Sequence, residues 1–219
     1  MLHVTCFIVR PEPSPQTRLK LYLSEVMTKD NIIALPNPHL RQKSQRVGVI
    51  TPEIIQVIKD MEAATISWDE SREHEVGVAL AGVQIDRLYR IIVVRNNYDD
   101  KNDQTFTAFI NPTITKFSGD IIEDYEGCLS VPTIYGKVPR YSKVKVKAID
   151  ETGKEFRITA EGFLARIFQH EIDHTNGIVF IDHIKHNPTA FYRLDDDGKM
   201  QELDYQKDVE HNNQLWAED

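Results

Sequence analysis

The sequence predicts an α+β fold in which antiparallel β-sheets wrap a central helix that carries a pair of histidines. Three observations predict it. Val144, Val146 and Ala148 alternate with lysines, Glu151-Thr152-Gly153 turns the chain, and Phe156 and Ile158 continue a return strand, which together read as a half-buried hairpin. Phe163, Leu164, Ile167 and Phe168 then make the next segment apolar over a wide arc, as expected of a mostly buried helix. Earlier, Thr51-Pro52-Glu53 has the form of a capped helix start, and Ile54, Ile58, Met61 and Thr65 recur at helical spacing to about Trp68.

Composition narrows the function. The chain has 219 residues, 41% hydrophobic and 27% charged, which fits a soluble globular protein of one domain with tails. Lys and Arg number 26 against 34 Asp and Glu, a net charge of −8, so there is no basic footprint for nucleic acid or an anionic membrane surface. No apolar run approaches the roughly 20 residues of a membrane span. Two distant cysteines, Cys6 and Cys128, make no disulfide framework and favour a reduced, cytoplasmic compartment, which leaves Cys128 free to act as a thiolate ligand.

In chain order, residues 1–30 read as an N-terminal extension: Val4 to Val9 is a short apolar run, and Pro11, Pro13 and Pro15 then break regular structure. Arg10, Arg18 and Lys20 leave an organellar transit peptide as an alternative reading, and Met27 as an alternative start. Residues 31–186 are expected to form the catalytic domain. Residues 31–50, with Pro36, Pro38 and a basic run from Arg41 to Arg46, read as loop, and Asp69 to Glu75 as a solvated loop. Gly77 to Gln84 is a tight, small-residue stretch. Tyr89 to Val94 is a buried strand by its β-branched content, and Phe106 to Thr115 a second strand in which Pro112 marks an edge or bulge. Thr159 is the expected cap of the histidine-bearing helix, Gly177 its stop, and Val179-Phe180-Ile181 a short strand. Residues 187–219 are expected to form a hairpin turning at Asp197-Gly198, then an acidic tail. The Asp195–Asp197 run lacks the roughly twelve-residue ligand spacing of a calcium loop, and a β-turn suffices for it.

The chemistry centres on His170-Glu171-Ile172-Asp173-His174. Residues four apart share one helix face, so His170 and His174 can aim two imidazoles at one metal ion, with Glu171 beside them to handle protons. A catalytic metal needs a third protein ligand. The candidates are Cys128, another histidine (His74, His183, His186 or His211) or a carboxylate such as Glu202 or Glu210. Phe180 stands where metzincin proteases place a further histidine, which excludes that class. Cys128, after a glycine at the end of a strand-like segment, is the stronger choice.

Three stretches together resemble peptide deformylase. Gly77 to Gln84 approximates that family's G-x-G-x-A-A-x-Q, Glu126 to Ser130 is its E-G-C-L-S unchanged, and Gln169 to His174 is its Q-H-E-x-D-H unchanged, in the family's order and over roughly residues 32–185. The resemblance implies that Cys128, His170 and His174 bind one divalent metal. Fe(II) is expected, with Ni, Co or Zn as substitutes. It implies that Glu171 takes a proton from water and passes it to the leaving amine, and that the Gln84 amide and the Leu129 backbone N–H stabilise the oxyanion. The implied substrates are N-formylmethionyl nascent peptides, met close to the ribosome and bound along Gly77, Val78, Ala79, Leu129 and Ile167. The implied setting is the bacterial cytoplasm, or an organellar stroma or matrix. A deformylase-like protein with little turnover and a zinc metallo-endopeptidase are the alternatives.

The chain departs from the family at Ala79 in place of the second glycine, at Gly82 in place of alanine and at Val83 before the glutamine. A methyl at Ala79 is expected to narrow the cleft, with Gly82 restoring room. Glu210, Glu218 and Asp219 make the C-terminus acidic, which argues against docking on ribosomal RNA through a basic tail helix. Glu126 and Arg140 are expected to pair and to hold the Cys128 loop closed.

Overall fold

A computed structural model of the chain describes residues 27–72, 75–100, 102–195 and 197–216. The expectations for residues 1–26 and for His74 lie outside the described residues.

Helix α1 spans Pro52–Glu70, and the Thr51 hydroxyl accepts the Ile54 N–H at 3.4 Å, as its sequence predicts. Seven strands follow in one antiparallel sheet: β1 (Ala79–Ala81), β2 (Ile91–Arg95), β3 (Phe106–Cys128), β4 (Val131–Ile149), β5 (Glu155–Glu161), β6 (Phe191–Leu194) and β7 (Met200–Glu202). The order is β1-β2-β3-β4-β6-β7, with β5 also on β4. Helix α2 (Gly162–His174) follows β5, and the short helix α3 (Phe180–Ile184) lies before β6.

β2 is buried at all five positions because the sheet is covered on both faces there. Ile92 and Val94 join Phe109, Val144 and Val146 under Ile167 and Phe168 of α2. Ile91 and Val93 join Ala108 and Ile110 under Ile54, Val57, Ile58 and Met61 of α1. This alternation is the two-residue period of a strand with two apolar faces. A third cluster holds α3, the tip of the β3–β4 hairpin and the C-terminal residues Phe191, Leu203, Val209 and Leu215. The described residues from Phe191 to Leu215 therefore pack on the same body, through pairing of Tyr192 with Tyr135 and Phe191 with Gly136.

Several elements differ from their sequence expectation. β3 does not stop near Thr115 but continues to Cys128. Its register with β4 shifts between Ile110 and Thr113, at the expected Pro112 bulge, and again at three later points. Glu126 to Ser130 is thus the end of a long strand and the turn of its hairpin. Val179-Phe180-Ile181 is not a strand. Asp182 accepts the Val179 N–H at 2.8 Å and starts α3 instead. Thr159 lies inside β5, and Glu161 is the residue before α2. Ala79 to Ala81 forms a strand, and Gly82–Ile85 a 3₁₀ turn, where a loop was expected. The Asp197-Gly198 turn is present. Asp195 accepts the Asp197 and Lys199 N–H groups at 3.0 and 2.7 Å, as a turn-forming side chain does.

Gly82 does not open the cleft. A Cβ there would lie 3.0 Å from the carbonyl oxygens of both Arg87 and Tyr89, so the residue is set by close backbone approach in the turn before β2. Restoring the family's alanine with Gly82→Ala is accordingly expected to destabilise the protein by about 1–3 kcal/mol in urea unfolding. An unchanged midpoint would show that the turn yields freely.

Candidate metal centre and active site

Three elements converge on one point. The β3–β4 turn brings Cys128, α2 brings His170 and His174 one turn apart, and the 3₁₀ turn after β1 brings Gln84. Cys128, His170 and His174 each offer a ligand atom, and these atoms lie within 4.8 Å of one another. Cys128 Sγ is 3.2 Å from His174 Nε2. Among the described residues this is the group of three suited to a metal. His183, His186, His211, Glu202 and Glu210 are not part of it. The donor set fits a divalent metal: one soft thiolate, two imidazoles and no fourth protein ligand, the pattern of a catalytic rather than a structural site.

His170 is oriented through its other nitrogen, because Nδ1 lies 2.9 Å from Glu126 Oε2. Glu126 is itself almost fully enclosed and is held by two guanidinium groups. Arg140 donates from Nε to Oε1 at 2.9 Å and from Nη2 to Oε2 at 3.1 Å, and Arg166 donates from Nη1 to Oε1 at 2.8 Å. The expected Glu126–Arg140 pair is therefore present as part of a larger network. Arg166 also donates to the carbonyls of Val138 and Ile122, both at 2.7 Å, and Arg140 donates to Asp173 at 2.6 Å. Burial opposes charge on Glu126, but the His170 and Arg140 bonds and charges outweigh it and hold the carboxyl well below the usual carboxylate range.

The two histidines diverge. Burial disfavours charge on His170, yet bonds to Cys128 and Glu126 raise its pKa well above the ordinary imidazole value. Burial, followed by repulsion from His170, drives His174 well below it, toward the neutral form that binds metal. Glu171 has no such partner. Its Oε2 is buried without a hydrogen bond, and burial pushes its pKa up to about 7.

Glu171 and His170 line a cavity of about 320 Å³, with Val78, Ala79, Leu129 and Ile167 on its walls. Gln84 is fixed at both ends. Its Oε1 accepts the Ala81 N–H at 2.8 Å, and its Nε2 donates to Ser130 Oγ at 3.1 Å and faces Cys128 Sγ at 3.6 Å. Ala79 is only 3% exposed and packs in the cluster with Ile167 and Phe168, where it also lines the cavity. Gly77 lies off the cavity wall. Its N–H is bound by Asp69 and its carbonyl by Arg95.

Arg166, Asp173, Asp69 and Arg95 were not singled out in the sequence. Arg166 had one legible signal: it lies four residues before His170, on the same helix face, inside an otherwise apolar stretch. Gly127 also has a packing role, since a Cβ there would meet Tyr135 Cε1 at 2.6 Å.

Known proteins resemble this chain in sequence and in fold. The family model described as polypeptide deformylase matches residues 29–189. The peptide deformylase of Thermomicrobium roseum is 41% identical over 179 residues, covering 80% of this chain and 97% of that one. The peptide deformylase of Halothermothrix orenii is 48% identical over 149 residues, covering 68% and 88%. Among solved structures, a Synechococcus elongatus peptide deformylase in complex with actinonin superposes with a TM-score of 0.62 at 35% identity, covering 71% of this chain and 79% of that one.

Glu126→Gln keeps the shape but leaves Arg166 without its buried charge partner and Arg140 with Asp173 alone. It is expected to weaken Ni or Co binding by about 10–100-fold in chelator competition and to lower stability by about 3–5 kcal/mol. Unchanged metal affinity would restrict Glu126 to bracing the hairpin.

Proposed function

The chain belongs to the polypeptide deformylase family, metal-dependent hydrolases that remove the N-formyl group from nascent peptides, and we propose that Cys128, His170 and His174 hold its metal. The observation that carries this assignment is the close approach of one thiol and two imidazoles beside a cavity whose wall holds a buried, unpaired carboxylate. Fe(II) suits the thiolate-bearing set, with Ni, Co and Zn as workable substitutes. A divalent metal held there supplies Lewis-acid polarisation of the formyl carbonyl and of water.

The protein's own groups do the rest. Glu171, at the cavity and with one oxygen free of any hydrogen bond, takes the proton of the attacking water and delivers it to the departing amine nitrogen. The Gln84 side-chain amide and the Leu129 backbone N–H donate to the oxygen on which charge develops. Gln84 is already immobilised between Ala81 and Ser130, so no reorganisation is needed when that charge appears. Val78, Leu129 and Ile167 seat the methionine side chain and exclude water around it. Products are formate and a peptide with a free amino terminus.

The substrate is met as it leaves the ribosome, in the bacterial cytoplasm or an organellar stroma or matrix. Asp204, Asp208 and Glu210 outnumber Lys207 in the C-terminal turn, so a basic docking helix is not part of this assignment.

Ni-loaded protein, assayed without oxygen, is expected to release formate from formyl-Met-Ala-Ser. Glu171→Gln is expected to keep an equimolar metal and lose about 10²–10⁴-fold in kcat. A metal-replete wild type that releases no formate would overturn the assignment, and a Glu171→Gln variant of full activity would remove Glu171 from it.

A further inference from the structure

Helix α2 borders a second cavity on its other face. Gln169, Ile172, Asp173 and, just past the helix end, Asn176 recur at helical spacing and turn away from His170 and His174. With β3, β4 and Arg90, the residue before β2, they line a cavity of about 420 Å³. It shares no lining residue with the metal cleft. Its size is within the roughly 300–1,000 Å³ of small-molecule sites.

Arg90 gives this cavity a chemistry. It is 9% exposed. Its Nε donates to the Pro112 carbonyl at 3.0 Å and its Nη1 to Asn176 Oδ1 at 2.8 Å, both uncharged acceptors. Among the described residues, Nη2 has no hydrogen-bond partner and the guanidinium has no carboxylate partner. The other buried arginines differ: Arg95 faces Asp69, and Arg140 and Arg166 face Glu126. Burial, then repulsion from Arg46, work against the Arg90 charge and lower its pKa from the ordinary value. A buried cation without an anion carries a desolvation cost that a bound anion offsets.

The wall decides which anion fits. Asp173 is the one carboxylate on it among the described residues. Its Oδ2 is already bonded by Arg140 Nη1 at 2.6 Å and lies 2.7 Å from His183 Nε2. Much of the remaining wall is apolar. The rings of Phe117 and Tyr141 lie 5.3 Å apart and are 49% and 39% exposed, and Ile172 is beside them on the wall. One unused N–H donor in such surroundings suits a monoanion with an apolar body. A phosphate, with several strong acceptor oxygens and a charge near about −2, would find too few donors there.

We propose that this second cavity binds a small organic carboxylate, with the charged group on Arg90 and the apolar body against Phe117, Tyr141 and Ile172. The site is separate from the metal centre, and the proposal does not depend on the deformylase reading.

Titration of Zn-loaded protein with 3-phenylpropionate, followed by residue-resolved NMR, tests it. Saturable shifts are expected at the Arg90 Nε–H and at the Phe117, Tyr141 and Ile172 amides, with a Kd of about 0.1–1 mM. The alcohol 3-phenylpropanol, the same body without the charge, is expected to bind about tenfold more weakly or worse. Phe117→Ala, which removes a half-exposed ring, is expected to weaken the acid about fivefold. Folded Arg90→Gln is expected to bind acid and alcohol alike. The proposal is overturned by wild type that shows no saturable shift at these positions up to about 10 mM, or that binds acid and alcohol equally. Shifts confined to Val78, Leu129 and Glu171 would put the ligand in the metal cleft and also overturn it. Inorganic phosphate that gives the same shifts at the same affinity would reduce the site to a plain anion contact, against the proposal. Where Arg90→Gln does not fold, the wild-type comparison of acid with alcohol still decides.

Discussion

A carboxylate buried among two guanidinium groups and an imidazole is the constraint on which the metal centre depends. Glu126 comes from the end of β3, Arg140 from β4, and Arg166 and His170 from α2. Each partner is bound at 2.8–3.1 Å, so the four side chains fix the hairpin against the helix with little freedom in angle or depth. Cys128 is two residues beyond Glu126, and His174 is one turn beyond His170. Placing the network therefore places all three metal-ligand candidates. A purely apolar contact between hairpin and helix would bury more surface at less electrostatic cost, but it would not select one rotamer of His170. The network's contribution lies in geometry more than in net stability.

The second set of links runs from β1. The Gln84 carbonyl oxygen is tied to Ala81 and its amide to Ser130, so this side chain spans from the sheet edge to the tip of the hairpin. With α1 and α2 packed on opposite faces of β2, the edge strand that follows α1 has no room to shift without disturbing both apolar clusters. The cavity is thus bounded by a strand edge, a hairpin tip and a helix, each anchored away from the cavity itself. Such anchoring keeps hydrogen-bond donors aimed before any substrate arrives.

The parts legible in the sequence were those governed by local rules. The Thr51 cap, the apolar arc of α2, the Glu151-Thr152-Gly153 and Asp197-Gly198 turns and the Pro112 bulge each follow from a few neighbouring residues. So did the approach of His170 to His174, which helical spacing alone dictates. Cys128 needed the motif, because nothing local brings residue 128 beside residue 174. Val179-Phe180-Ile181 misled because three apolar residues fit a strand or a helix equally, and Asp182 decides between them. Thr159 misled because the hairpin runs two residues further than its apolar pattern shows. Asp69 and Arg95 were unreadable as a pair. Asp69 looked like one more charge in a solvated loop, and only the fold buries it against a strand 26 residues later.

Three buried carboxylates separate structure from chemistry in this protein. Asp69 faces Arg95 and spends its other oxygen on a backbone N–H. Glu126 faces Arg140 and Arg166 and spends its remaining capacity on His170. Both oxygens of each are engaged by protein groups, which makes these carboxylates anchors. Glu171 is buried to a similar degree, 5% exposed, but no guanidinium is bonded to it and one of its oxygens has no partner. Burial therefore raises its pKa to about 7, with the nearby Glu126 charge pushing the same way against His170. A carboxyl in that range can both accept and return a proton near neutral pH, as hydrolysis of a formamide requires of one group. Burial is common to all three, and Glu126 lines the cavity as Glu171 does, so what distinguishes Glu171 is a carboxylate oxygen without a hydrogen-bond partner at a position on the cavity wall.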